Sequence, residues 1–156
     1  MKKTILALAM LLIGVLSASA KTEKRPAYLY GFATSFNDST VWFVEIQLVE
    51  EAYIDSKTKF LCGRDSYSYQ LRDYLRSAGC NTPTCITGFA LTKKKAEEKY
   101  LKLRTKYLSK GNYNIKYISS SDFKYTAVPV DEETVYVESS KAKPKGEKKS
   151  KKKQEK

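Results

Sequence analysis

The sequence predicts a single α+β domain, two-layered, with a mostly antiparallel sheet and two helices on one face. Three observations carry this reading. Residues 27–49 alternate with period two around a central Asn37-Asp38-Ser39, the mark of a hairpin. Two later stretches repeat apolar residues at helical spacing. Short runs of β-branched and aromatic residues stand between and after these helices.

The first strand sets Tyr28, Tyr30, Phe32, Thr34 and Phe36 on one side, with Gly31, Ala33 and Ser35 on the other. That nearly bare second side invites close approach by another element. The second strand, Val41 to Val49, places Trp42, Val44, Ile46 and Leu48 together. Residues 50–63 are ambiguous, with room for a short strand around Lys59 to Leu61. Asp65, Ser66 or Ser68 then caps a helix whose buried side is Leu71, Tyr74, Leu75 and Ala78, stopped at Gly79. Cys85 to Ala90 forms a brief strand, and Thr92 caps a long basic helix. In that helix Ala96, Tyr100, Leu103 and Tyr107 mark the buried stripe, Leu101 and Leu108 widen it, and Gly111 ends it. A strand begins near Ile115, and Asp131 to Glu138 offers an edge strand.

Domain limits follow from composition. Residues 1–20 read as an export signal: Lys2 and Lys3, an apolar run from Ile5 to Leu16, then Ala18-Ser19-Ala20 for cleavage. The apolar run is shorter than the ~20 residues that span a bilayer, so no transmembrane segment is expected once the signal is removed. The mature chain is expected in the periplasm or outside the cell, where disulfides persist. Residues 21–138 form the domain. Residues 139–156 are low-complexity lysine with almost nothing to bury, and are expected to be disordered.

Net charge is +12, but unevenly spread. The tail holds nine lysines against two glutamates, whereas residues 21–138 hold eighteen basic against fifteen acidic residues. The tail lysines 141, 143, 145, 148, 149, 151, 152 and 153 (Lys141, Lys143, Lys145, Lys148, Lys149, Lys151, Lys152, Lys153) repel one another and suit an anionic envelope component such as lipopolysaccharide, phospholipid or acidic glycan. The alternative is a solubilising tail without a partner. The lysines of the second helix read as a solvated face.

Histidine is absent, which excludes Ser-His-Asp and Cys-His catalysis within the chain and zinc sites with imidazole ligands. No glycine motif for phosphate or dinucleotide appears, so no cofactor and no metal is expected. Cys80 and Cys85 bracket a short loop, and a bridge between them would pin the first helix to the next strand. Two buried thiols are the alternative. Cys62 is left over, following Phe60-Leu61. Tyr28, Tyr30 and Trp42 are the candidate ligand-binding residues, an aromatic platform for sugars or bases, against the alternative that they are core.

The run CITGFALTKKKAEEKYLKLRTKYLSKG and the strand after it resemble the second half of a SPOR domain. The likeness spans residues 84–126 and rests on Gly88-Phe89 ending a strand, a polar link, and an early Ala96 in the helix. It implies a small exported ferredoxin-like fold that binds peptidoglycan glycan on a sheet face. The order of elements departs from that family: here a hairpin comes first and the helices flank one strand. No specific nucleic acid is expected as partner. The sequence therefore predicts an exported, non-catalytic binding domain of the bacterial cell envelope. A small enzyme using carboxylates or Cys62, or a protein-interaction subunit, are the alternatives.

Overall fold

The computed structural model describes residues 22–129. The long hairpin is the frame of the molecule: β1, Thr22–Ser35, pairs antiparallel with β2, Thr40–Asp55. It runs well past the expected limits at its open end, where Lys24 meets Glu51 at 3.1 Å and Lys59 meets Glu23 at 3.4 Å. The ambiguous stretch after β2 is a turn held by the Asp55 carboxylate, and Leu61 makes only an isolated bridge with Ile54. Helix α1, Arg64–Ser77, leads to β3, Pro83–Ala90, on the far side of β1. Helix α2, Lys93–Leu108, then returns the chain to β4, Asn114–Ile118, parallel to β2. The sheet order is β3-β1-β2-β4.

The chain is thus a single α+β domain with a mixed sheet in which two of three pairings are antiparallel, as the sequence predicts. The position of the helices differs from the expectation of one shared face. Leu29, Ala33, Val44 and Ile54 pack with Tyr67, Leu71 and Leu75 of α1. Tyr30 and Phe32, of opposite parity on β1, pack instead with Ala96, Tyr100, Leu103 and Tyr107 of α2. The reason is topological. From the antiparallel pairings, β2, β3 and β4 all point one way, so each helix is a crossover between parallel strands. The two crossovers travel in opposite directions across the sheet, and the right-handed rule then sends them to opposite faces.

Two bulges explain the mixed parity of β2. Register shifts fall between Arg25 and Ala27, at Pro26, and between Leu29 and Gly31. A proline has no N–H for the ladder, which suits it to the first break. Each shift inserts one extra β2 residue and moves its side chains to the other face. Trp42 and Val44 therefore face α1, Ile46 faces α2, and Leu48 is exposed.

Both helices differ from expectation at their ends or flanks. α1 begins earlier than expected, with Gly63 at φ 65 in the capping place rather than Asp65, Ser66 or Ser68. Ser68 instead accepts from the Thr87 N–H at 3.0 Å. Tyr67 is fully buried, whereas Ala78 is exposed. In α2 the Thr92 side chain accepts from the Lys95 N–H as expected, and Gly111 has a left-handed φ of 70. Leu101 and Leu108 do not widen the buried stripe; they face solvent.

Beyond β4 the chain crosses the α1 face as a strap. Phe123 and Tyr125 are buried in the main core. Gln47 donates its amide to the Phe123 carbonyl at 2.7 Å and accepts from the Tyr125 N–H at 2.9 Å. Gln70 makes the same pair with Thr126. The Tyr125 hydroxyl meets Thr87 at 3.2 Å, and burial pushes its pKa far up. Gly31 makes room for this layer: a methyl there would lie within 2.7–2.8 Å of Tyr125, Val44 and Leu71. The expected edge strand over Asp131 to Glu138, the export signal and the lysine tail lie outside the described residues.

Candidate functional site

A groove of about 290 Å³ opens where the hairpin turn meets the end of α1. Its hairpin wall is Ser35, Asn37, Asp38 and Thr40. Asn-Asp-Ser is turn chemistry, and here the Asp38 carboxylate accepts from the Thr40 N–H at 2.7 Å, closing an Asx-type turn. The opposite wall follows α1, which ends in a Schellman arrangement. The Cys80 N–H bonds to the Leu75 carbonyl and the Gly79 N–H to that of Arg76. Gly79 takes φ 92, the left-handed conformation this ending needs. The chain is thereby turned so that Gly79, Cys80, Asn81 and Thr82 line the groove.

Trp42 and Leu75 supply apolar lining, and Trp42 is half-buried against the core. The Lys116 ammonium of β4 stands 6.0 Å from the centre of the Trp42 ring, within range of a cation–π contact. An indole is thus surrounded by amide, hydroxyl, carboxylate and ammonium groups. Among the described lining residues Asp38 is the only carboxylate. Such a set can hold an amphipathic ring by stacking and hydrogen bonds; it lacks the second carboxylate that paired acid–base hydrolysis uses.

Asp38 is held below its ordinary 3.8 by the Thr40 hydroxyl and N–H, with help from Ser35 and Lys116. Hydrogen bonds to the ionised form lower a carboxylate pKa. The sign follows: the turn has its full support above 3.8 and loses it as pH falls through the lower folded value. Trp42 is the sole tryptophan of the chain, so its emission should change in that acid window. The same titration of Asp38→Asn should show no such transition at Trp42.

The structure separates the three expected ligand residues. Tyr28 and Tyr30 pack beneath α2, with the Tyr30 and Tyr100 rings edge-to-face at 5.8 Å. Trp42 lies on the other face, so the three form no common platform. Tyr30 also lies across Gly88, its partner on β3, where a methyl would overlap the ring. Trp42 alone of the expected set reaches the groove. The residues that join it there (Asp38, Asn81, Thr82, Lys116) come from separate loops and an edge strand. The Asn37-Asp38-Ser39 turn was the one sequence signal among them.

The expected Cys80–Cys85 bridge is not formed; the two stand as separate thiols, not at disulfide distance. The α1 ending accounts for Cys80, which occupies the position whose side chain packs back on the helix, and both thiols lie half-buried against the main core. Burial, with the neighbouring Cys80, pushes the Cys85 thiol up to about 11. Cys62 is buried, at 6% exposure. Glu50, Glu51, Glu97 and Glu98 are exposed surface groups.

Comparison with family models, with curated proteins and with solved structures finds no match to this chain. Among the described residues no helix is long and apolar enough to cross a membrane, and no three His, Cys, Asp or Glu side chains gather as a metal site.

Proposed function

We propose that this protein is an exported, non-catalytic binding domain of the bacterial cell envelope, with a glycan as the ligand of the Trp42 groove. The observation that carries the reading is Trp42 set between Asp38 and Lys116 in a polar groove. A sugar ring offers an apolar face for the indole and hydroxyls for Asp38, Asn37, Asn81 and Thr82. The likeness of residues 84–126 to SPOR domains points to the same ligand class, although the groove lies at the end of the sheet. In this reading the lysine tail holds the protein near anionic surfaces.

Trp42 makes the test direct, because all tryptophan emission comes from the groove. Titration with oligomers of N-acetylglucosamine should give a saturable change in emission, with a Kd of about 1 mM or tighter. Asn81→Ala, at an exposed position of the groove, should weaken it while leaving the melting temperature nearly unchanged. A flat titration would remove the glycan reading.

A further inference from the structure

We propose that the outer face of α2 is a docking surface of the folded domain for an anionic phospholipid bilayer, its lysines on the headgroups and Leu101 and Leu108 entering the interface. This deepens, and rests on, the reading that the protein works at an anionic surface. It assigns part of that contact to the domain rather than to the tail alone.

Four observations support it. First, α2 carries seven basic residues against Glu97 and Glu98, in a body whose charge is otherwise nearly balanced. Among the described residues, Lys93–Glu97 at 4.0 Å is the one salt bridge within the helix. Second, the cations are ordered in space. Lys95 and Lys102, and Lys99 and Lys106, are each seven residues apart, so the four form one exposed band beside the buried stripe. Third, Lys94, Leu101 and Leu108 form a parallel line, and the leucines are 52% and 48% exposed. Only Glu98 and Thr105 lie between the two lines. Fourth, exposed tyrosines stand on the leucine side: Tyr117, hydrogen-bonded to Arg104 at 2.9 Å, and Tyr113, stacked edge-to-face on Tyr107.

The two bands together decide between partners. A soluble polyanion would use the lysines and gain nothing from exposed leucines. A bilayer surface uses both, with tyrosines favoured at the headgroup level. The helix is too polar to span, and its sheet-facing side is occupied, so contact would be shallow and in the plane of the surface. Each lysine near such a surface contributes about fivefold in binding, fading within a Debye length of ~8 Å at physiological salt.

The full chain should be measured by sedimentation with vesicles of phosphatidylcholine, with and without phosphatidylglycerol. Lys95→Gln, Lys102→Gln and Lys106→Gln together should weaken binding to the anionic vesicles on the order of a hundredfold. Lys99 is spared because it also caps the Phe89 carbonyl at 3.1 Å. Leu101→Ser with Leu108→Ser should weaken vesicle binding roughly tenfold and leave binding to heparin, a soluble polyanion, unchanged. All five positions are exposed, so an unchanged melting temperature confirms that the fold is intact. If wild-type protein binds but neither variant differs from it, the tail alone makes the contact and the α2 surface is overturned. If the lysine variant weakens heparin and vesicles equally while the leucine variant weakens neither, α2 is a polyanion site and the bilayer is overturned. If wild type ignores anionic vesicles altogether, the wider reading of an anionic surface falls with it.

Discussion

Replacing Gln47 with leucine is expected to cost about 2–6 kcal/mol, since two buried backbone groups lose their partner at about 1–3 kcal/mol each. Gln47 is 6% exposed and holds both the Phe123 carbonyl and the Tyr125 N–H. A strap has no strand beside it to satisfy its backbone, and here a side-chain amide stands in for that strand. Leucine matches the volume but offers neither donor nor acceptor. Gln70 is the natural control, because it is half-buried and makes the same two bonds to Thr126 where they lie open to water that can replace them. Gln70→Leu should cost within about 1 kcal/mol. Urea unfolding gives both values, and hydrogen exchange at the Tyr125 amide shows whether the strap lifts before the domain unfolds. Equal costs for the two variants would mean that burial at Gln47 is not what secures the strap.

The second large effect is expected at the contact between β1 and α1. Leu71 is fully buried, and Leu71→Ala should cost about 2–5 kcal/mol through lost transfer energy and the cavity left behind. Gly31→Ala should cost about 1–3 kcal/mol for the opposite reason, since its methyl meets Leu71, Val44 and Tyr125 at once. The double variant should cost clearly less than the sum, because the new methyl enters part of the space that Leu71 vacates. Additive costs within about 0.5 kcal/mol would mean the two side chains do not share that space. Relief should be incomplete, as Tyr125 and Val44 still crowd Gly31 from two other directions.

Much of this architecture was legible in local patterns. Asn37-Asp38-Ser39 marked the hairpin turn, Thr92 the start of α2, and Gly79 and Gly111 the helix ends, because each of these is settled by a residue and its immediate neighbours. The stripe of Ala96, Tyr100, Leu103 and Tyr107 was likewise readable from spacing, and it does face the sheet. What failed was anything that depends on counting through an irregularity. Ile46 and Trp42 share sequence parity but lie on opposite faces, because one extra residue at the bulge reverses the pleat between them. Leu101 and Leu108 are apolar, yet the core ends before it reaches them.

By itself the sequence determined which segments become strands and helices, where most of them start and stop, and that they build one α+β domain. Those outcomes rest on backbone preferences and on period-two or helical burial, both short-ranged. Tertiary structure alone decided that the helices take opposite faces, since that depends on the order in which β3 and β4 join the hairpin. It alone decided that Phe123 and Tyr125 belong to the core, through a glutamine more than seventy residues earlier. The groove has the same origin. Trp42, Asp38, Asn81 and Lys116 come from β2, the hairpin turn, the loop after α1 and the far edge strand, and only the folded sheet brings them to one place.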